Sequence, residues 1–511
     1  MKGTAQEPQL RLHGWSWLFK ASTALKELAL PLLAFLVLKR EEELLLLGVT
    51  VGVALLALAW GLLRARSFRY EIRADEVVVR DGMLVRELRH VPFSRVQSVS
   101  ERRGPVHRLL GVTELVLESG TGGKPEAVLQ VLSPAAAAAL AGALRLHRAA
   151  ACNTGVPPAA AAAAGADAAA AEPLLVLPTS ELLRLGLVSN RGFVVVLMAA
   201  GAASQSIELL RALPGLRDLG PAIDDGLSEA AAAGLLPLAL WLGALLLFAL
   251  VLVRVLSLGH ALLTQHGFTL TRDGTRLRVR RGLLTRIDVS GRTDAIQRLV
   301  LERNPLHRLF SRCSLRVDLP TAPMPGVAAP AQLDHLAPIA TPAQARRLLL
   351  ECLPGLDLDA LDWRPLHPGA TFWRARRTLA WVLPLALGLA LVAALAPVLS
   401  AGTRAAGLVL AAAMPLAAVW HARRWVATAR FAVGAGVLVW RSGVWTQRWV
   451  LLPQSRAQVT SLHRTPLGRR AGMARLNVDT MAPTPRRALV LRWLAEADAV
   501  ALNQRLWRAG A

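Results

Sequence analysis

The stretch LRVRRGLLTRIDVSGRTDAIQRLVLERNPLHRLFSRCSLRV, residues 277–317, occurs in this chain in three related versions. It aligns without a gap with residues 77–117 and 438–478. The aligned positions that hold the same residue in all three copies are Arg80/Arg280/Arg441, Gly82/Gly282/Gly443, Gln97/Gln297/Gln458, Arg103/Arg303/Arg464, Pro105/Pro305/Pro466, Arg108/Arg308/Arg469 and Leu115/Leu315/Leu476. Unrelated chains of this composition would share roughly one such position or fewer, so a module used three times is the better explanation.

A pair of apolar segments precedes each copy. Hydrophobic residues make up 54% of the 511 residues and charged residues 18%, a balance typical of membrane proteins. We predict six membrane spans in three hairpins, at residues 24–38, 44–63, 193–203 with its flanks, 234–253, 379–400 and 406–420. The first is the weakest, because Lys26 and Glu27 lie in its first turn.

The net charge of +24 is distributed asymmetrically. Basic residues such as Arg64, Arg66, Arg376 and Arg377 flank the hairpins on the module side, whereas the connections within hairpins are less basic. The positive-inside rule therefore places both termini and all three modules in the cytoplasm. This explanation of the charge is favoured over nucleic-acid binding, and we expect no nucleic-acid partner.

These features divide the chain into nine segments. In order they are an N-terminal cytoplasmic segment (1–23), transmembrane hairpin 1 (24–63), module 1 (64–149), an Ala-rich linker (150–172), hairpin 2 with its outer loop (173–257), module 2 (258–356), a second linker (357–377), hairpin 3 (378–420) and module 3 (421–511).

Within a module the pattern predicts several strands followed by one helix. The glycines of the repeat stand between two strand-like runs and should hold a positive φ in a turn. The repeated glutamines should lie on third strands at 95–99, 295–299 and 456–460, where a half-buried amide bonding a neighbouring loop is more expected than a ligand contact. The repeated prolines should begin a short helical turn. Helices are predicted to start near residues 133, 341 and 495.

The aromatic-started strand after each hairpin, the Arg-x-Gly turn and the Gln followed by Arg-x-Pro-apolar-x-Arg resemble the bacterial pleckstrin-homology-like membrane proteins of the YdbS/YdbT type. The resemblance implies a polytopic α-helical membrane protein of the bacterial inner membrane. It implies three cytoplasmic PH-like modules, each a small partly open β-barrel with a C-terminal helix and each preceded by a transmembrane hairpin. Module 3 departs from the pattern, with Gly468 where the other copies have His107 and His307.

Sequence motifs for chemistry are missing. The chain has no phosphate-binding glycine loop, no metal-ligating His or Cys spacing and no nucleophile elbow. Cys152, Cys313 and Cys352 are too far apart in sequence to suggest a metal or redox motif. We therefore expect no enzyme activity, no cofactor and no metal, and the nearly charge-free spans do not favour a transporter.

Two functions remain. The first is a scaffold whose modules bind a protein partner or a second copy of the chain at the membrane surface. The second is recognition of anionic lipid headgroups, or lipid handling, through the repeated Arg-x-Pro-x-x-Arg element. The candidate anion-binding residues are Arg103 and Arg108, Arg303 and Arg308, and Arg464 and Arg469. Each pair flanks a predicted helix start, where backbone N–H groups favour an anion. The alternative is that one arginine of each pair makes a structural salt bridge.

Overall fold

A computed structural model describes most of modules 2 and 3 and much of module 1. The described residues are 10–11, 69–73, 75–81, 87–93, 96–119, 127–140, 173–189, 192–193, 219–320, 333–395, 401–481 and 488–510, with residue 142 and scattered positions between 48 and 63. Most of hairpin 1, residues 194–203 and Gly82 lie outside this set, so the predictions made for them stay predictions.

The described part of the first copy contains a series of strands and a five-residue helix. They are β1 (Leu10–Arg11), β2 (Arg69–Ile72), β3 (Glu76–Asp81), β4 (Glu87–Pro92), β5 (Val96–Arg103), α1 (Pro105–Leu109), β6 (Thr113–Ser119) and β7 (Ala127–Leu132). Residues 134–140 are helical, and the Ser133 hydroxyl accepts a hydrogen bond from the Ala136 amide at 3.2 Å. This confirms the predicted helix start.

The second copy follows a set of long helices. Its elements are β8 (Pro173–Val176), α2 (Thr179–Val188), α3 (Leu219–Ala233), α4 (Leu235–Gln265), β9 (Thr269–Asp273), β10 (Arg276–Arg281), β11 (Arg286–Arg292), β12 (Arg298–Arg303), α5 (Pro305–Leu309), β13 (Cys313–Asp318), β14 (His335–Ala340) and α6 (Pro342–Cys352). Thr341 caps α6 with a capping box to Gln344, as its Thr-Pro start predicts.

The third copy repeats this order. Its elements are β15 (Arg364–Pro365), α7 (Ala370–Leu395), α8 (Ala401–Thr428), β16 (Arg430–Gly434), β17 (Val437–Ser442), β18 (Gln447–Pro453), β19 (Val459–His463), α9 (Pro466–Arg470), β20 (Met473–Asp479), β21 (Ala488–Ala495) and α10 (Glu496–Gly510).

Within the described part of the chain, three helices are long and apolar enough to cross a membrane. They are α4, α7 and α8, with 31, 26 and 28 residues. All three continue past the predicted apolar windows, because a helix can extend beyond the hydrocarbon layer into its polar flanks. Helices α7 and α8 pack closely through small residues: a Cβ on Gly407 would lie 2.8 Å from that of Ala393.

Two of the predicted third strands begin later than expected. A 3₁₀ turn occupies Thr293–Ala295, and another occupies Gln454–Arg456. Each turn is closed by a backbone hydrogen bond between residues three apart. The Ile296 amide donates to Thr293 O at 3.2 Å, and the Ala457 amide donates to Gln454 O at 3.1 Å. The predicted starts at 295 and 456 are therefore wrong, and pairing begins at Arg298 and Val459. Gln297 and Gln458 accordingly lie one residue before these strands, whereas the prediction placed them on the strands.

The sheets do not stop at module boundaries. One seven-stranded antiparallel sheet has the order β7-β6-β5-β11-β10-β9-β8, so the second half of module 1 continues into the first half of module 2. Another has the order β14-β13-β12-β18-β17-β16-β15 and joins modules 2 and 3 in the same way. The sequence predicts three self-contained modules. The structure instead divides each copy between two sheets, and neither sheet closes into a barrel within one copy.

The hydrophobic cores are shared as well. The core of module 2 includes Val437, Val439 and Leu451 from module 3, and the core of module 3 includes Val300 from module 2. Burying one such side chain contributes about 1.5–3 kcal/mol. Modules 2 and 3 therefore stabilise one another through apolar contact as well as through backbone pairing, whereas the described core cluster of module 1 contains residues of that module alone.

Candidate functional site: a basic cleft between modules 1 and 2

The repeated prolines begin three five-residue helices. Pro105, Pro305 and Pro466 stand at the first helical position of α1, α5 and α9, where the missing amide hydrogen costs nothing. Asn304 and Thr465 cap two of these helices through hydrogen bonds to backbone amides, at 2.6 and 3.0 Å. Such short helices have a weak dipole, so the helix start alone does not make an anion site.

The second arginine of the element reaches the following module. Arg108 donates from Nη1 to the carbonyl oxygen of Leu283 at 3.4 Å, and Arg308 donates from Nη2 to that of Trp445 at 3.3 Å. Both acceptors lie in the hairpin turn after the repeated glycine. These two arginines therefore lie at the junction with the next copy, whereas Arg469 belongs to the last module.

The first arginine makes local contacts. Arg103 pairs with Glu101 at 2.6 Å, and Arg464 pairs with Glu496 at 3.0 Å. The Nε atom of Arg303 is buried and has no hydrogen-bond partner in the described residues. The salt bridges fit the structural alternative for Arg103 and Arg464, but they do not exclude a ligand, because both side chains remain partly exposed.

A cleft of about 630 Å³ opens where module 1 meets module 2. Its basic lining residues are Arg103, Arg108, Arg278, Arg280, Arg281 and Arg286. Its acidic lining residues are Glu101 and Asp288. Six arginines against two carboxylates leave a formal excess of four positive charges. The structure thus brings the Arg103/Arg108 element together with an arginine-rich hairpin of the next module.

Internal ion pairs neutralise only part of the cleft. Asp288 accepts from Nε of Arg278 at 2.7 Å and from Nε of Arg280 at 2.9 Å. The hydrogen bonds that Arg278 donates to Asp288 raise the pKa of Arg278, so this guanidinium stays charged. Arg108 and Arg286 are exposed to solvent, as expected for side chains that receive a mobile anion.

The cleft lies at the end of a membrane-length helix. The amide of Gly282 donates to His266 O at 2.8 Å and that of Leu283 donates to Leu263 O at 3.0 Å, so the β10–β11 turn caps the C-terminal end of α4. Apolar side chains beside the cleft face solvent, with exposed fractions of 44% for Leu283, 50% for Leu284 and 85% for Leu109. Exposed apolar residues next to arginines are typical of a surface that meets the headgroup layer.

The equivalent junction between modules 2 and 3 has a different chemistry. Three of the cleft arginines, Arg278, Arg281 and Arg286, align with Val439, Ser442 and Gln447. Asp288 aligns with Trp449, and Arg441 lies over the Trp449 ring with 5.2 Å to its centroid. Arg303 and Arg308 therefore do not share an arginine-rich cleft like that around Arg103 and Arg108.

Two of the repeated glycines and one of the repeated glutamines have a structural role in the described residues. Gly282 and Gly443 hold φ of +106° and +109°, which confirms the positive φ expected at these two turns. The Gln297 side chain is buried, donates to Ala295 O at 3.1 Å and accepts from the Met481 amide of module 3 at 3.3 Å. Gln458, which precedes β19, is exposed. For Gln97 the strand position alone is described.

The histidine that module 3 lacks also has a structural role. His307 is buried and completes the capping box of α5 with Asn304, and burial lowers its pKa to about 4. At Gly468 a Cβ would lie 2.8 Å from the Thr465 hydroxyl oxygen, so the third copy leaves little room for a side chain there. In the described residues no group of His, Cys, Asp and Glu is arranged to hold a metal ion.

Sequence reasoning missed the module 2 half of the cleft. The repeat comparison gives weight to shared residues, and the lining residues Arg278, Arg281 and Arg286 are not repeated. Their signal is local: residues 276–286 read RLRVRRGLLTR, with five arginines in one hairpin.

Comparison with known proteins agrees with the triplicated architecture. The family model described as bacterial PH domain matches residues 28–147, 231–351 and 380–508. The chain is also similar to the UPF0699 transmembrane protein YdbT of Bacillus subtilis (strain 168), with 28% identity over 112 residues. That alignment covers 21% of this chain and 23% of the relative, less than a quarter of either. No solved structure matches the chain.

Proposed function

Because the chain belongs to the bacterial PH domain family, we propose that it is a non-catalytic membrane protein whose β5–β11 cleft binds anionic lipid headgroups. The observation that carries this proposal is the excess of positive charge in a cleft beside the end of α4. An anionic leaflet attracts basic residues near its surface by about 1 kcal/mol each. Arginine also binds phosphate oxygens in a bidentate manner, which favours a phosphodiester over a neutral headgroup.

The proposal includes the location of the protein. In the bacterial inner membrane, with both termini and all three modules in the cytoplasm, the cleft would face the leaflet that α4 leaves. The positive-inside distribution of Lys and Arg supports this orientation.

The test uses the full chain in neutral detergent, titrated with short-chain phosphatidylglycerol, short-chain phosphatidylcholine or inorganic phosphate. The Arg108→Gln/Arg286→Gln variant should bind phosphatidylglycerol about 30-fold more weakly than the wild type, because two basic residues are lost. Arg303→Gln/Arg308→Gln removes the same charge at the other junction and is the matched control. Affinity for phosphatidylglycerol should also fall with added salt.

The outcomes distinguish the sources of the anion. Equal binding of phosphatidylglycerol and inorganic phosphate would assign the cleft to free phosphate. If the cleft variant and the control variant lose the same affinity for phosphatidylglycerol, the attraction depends on net charge alone, and this would contradict a specific site in the cleft. Unchanged binding in the cleft variant would contradict the proposal outright.

A second candidate function is the scaffold, in which the modules bind proteins or one another. The strand pairing across both junctions favours it, because the modules then form a continuous surface instead of three independent readers. Photo-crosslinking in cells from exposed helix positions Leu350 and Trp507 tests this candidate. Discrete protein adducts would support a scaffold. Adducts to lipid alone would contradict the scaffold candidate and leave lipid binding in the cleft as the proposed function.

A further inference from the structure

The two junctions inside the chain share one register. In the first, Arg286 pairs with Arg103 and Ser290 pairs with Val99. In the second, Gln447 pairs with Arg303 and Leu451 pairs with Leu299. The repeat alignment makes Arg286 equivalent to Gln447, and Arg103 equivalent to Arg303. The same two strands of the module therefore meet in the same register twice, although the side chains that face each other differ.

Both strand types occur once more, at the two ends of the array. Strand β4 is the module 1 equivalent of β11 and β18, and β19 is the module 3 equivalent of β5 and β12. In the described residues β4 forms the end of the β1-β2-β3-β4 sheet, and β19 forms the end of the β19-β20-β21 sheet. The array thus ends with one half of a junction at each side.

The side chains of β19 differ from those of β12 in the way an uncovered edge predicts. Leu299, Val300 and Leu301 of β12, which pair with residues of the neighbouring strand β18, are buried. Their equivalents in β19 are half-buried. On β4, Leu88 has an exposed fraction of 53%. An edge strand with apolar residues is a template for pairing with another chain unless something covers it.

We infer that β4 of one copy pairs antiparallel with β19 of a second copy, which extends the sheet from one chain to the next. The register of the internal junctions sets Leu88 opposite Leu462 and His90 opposite Thr460. In the second internal junction the residues equivalent to Leu88 and Leu462 are Trp449 and Leu301, which pair with each other. An apolar pair therefore already occurs at this position of a junction. The occupant of each edge is thus a second copy of this chain, joined by strand addition.

This contact is head to tail, since the two partners use different surfaces. Heterologous contacts of this kind build a ring if the rotation closes and a row if it does not. The inference rests on the scaffold candidate, for which it names the partner. It is independent of lipid binding in the β5–β11 cleft.

The test uses two full-length copies with different affinity tags in one membrane, one with His90→Cys and the other with Thr460→Cys. A short bismaleimide should give a crosslinked dimer that carries both tags. Each cysteine variant mixed with a wild-type copy reports the background from Cys152, Cys313 and Cys352. In the first internal junction the residues equivalent to Thr460 and His90 are Val99 and Ser290, so the positive control is Val99→Cys/Ser290→Cys in one chain. It should crosslink within the chain.

A second variant probes the same edge by adding a charge to it. Leu88→Lys changes an exposed side chain and should leave the fold intact, yet it places a charge on the edge. It should reduce the two-tag dimer when it is introduced beside His90→Cys.

Several results would overturn the inference. One is a positive control that reacts while the two-tag dimer is absent. Another is a His90→Cys/Thr460→Cys chain that crosslinks only within itself, which would show that one molecule closes on its own edges. A dimer that forms equally well with Leu88→Lys would show that the contact does not involve this edge. The lipid titration tests the cleft and the crosslinking tests the strand pairing, so each proposal can be contradicted without the other.

Discussion

The glycine turn at the end of α4 yields a quantitative prediction. A Cβ on Gly282 would lie 2.0 Å from the carbonyl oxygen of Thr285, at a backbone φ of +106°. Gly274 is the matched control, because its φ is also positive, at +55°, yet no atom lies within 4 Å of an added Cβ. Alanine in the left-handed region costs about 1 kcal/mol. At Gly282 the strained backbone and the forced shift of the turn should together cost about 3 kcal/mol.

Cys313 provides a local assay for this difference. Its thiol is buried in the core that also contains Val279 and Val289 of the same hairpin, and burial raises its pKa to about 11. Modification by a maleimide therefore requires opening of module 2. With Cys152 and Cys352 changed to serine, Gly282→Ala should react faster than Gly274→Ala. The difference of about 2 kcal/mol corresponds to about 30-fold in rate. Equal rates for the two variants would refute the steric account of this turn.

Two further predictions concern module 2 and its contact with module 3. The folded-state pKa of His307, about 4, is below its unfolded value of 6.5, so the unfolded chain binds the proton first and stability should fall as the pH decreases from about 6.5 toward 4. In His307→Asn this part of the pH dependence of the thermal unfolding temperature should disappear. An unchanged pH dependence would show that another group is responsible. Gln297→Ala leaves the Met481 amide without its bond, so hydrogen exchange at Met481 should accelerate by a factor that corresponds to about 1–3 kcal/mol. Gln458→Ala, at the exposed equivalent position, should leave that exchange unchanged.

The elements of one module were predictable because their signals are local. Proline at the first position of α1, α5 and α9 and the Thr-Pro start of α6 depend on residues within one turn of each other. The positive φ of Gly282 and Gly443 follows from the need for a tight reversal between two strand-like runs. Such features are fixed by neighbours in sequence, so the pattern indicates them without knowledge of the tertiary structure.

The pairing between modules was not predictable in the same way. Alternation shows which face of a strand is buried, but it does not identify the strand alongside. One signal was present at the second junction alone: Leu299, Val300 and Leu301 in β12 form a continuous apolar run. The equivalent residues are Thr460, Ser461 and Leu462 in β19, and Val99, Ser100 and Glu101 in β5, which is a central strand without such a run. A continuous run favours a central strand and a polar one favours an edge.

The candidate site was predictable in part for the same reason. Arg103 and Arg108 stand out in the repeat, but the function of a cleft depends on both of its walls. The second wall, with Arg278 and Arg286, comes from a strand that reaches β5 only through the inter-module pairing. The repeat alignment treats the three arginine pairs as equal, whereas the first pair lies in a cleft with four arginines of the next module.

The sheet that joins β5 to β11 also constrains how the chain is made. Strand β5 ends at Arg103 and β11 starts at Arg286, so the ribosome must add some 180 residues before the first can meet the second. At usual elongation rates this takes on the order of ten seconds or more. Helix α4, which is long and apolar enough to cross a membrane, directly precedes the strands that complete the sheet. Until this region has been synthesised and folded, β5 lacks its neighbour β11 and is exposed as a nascent, unpaired edge.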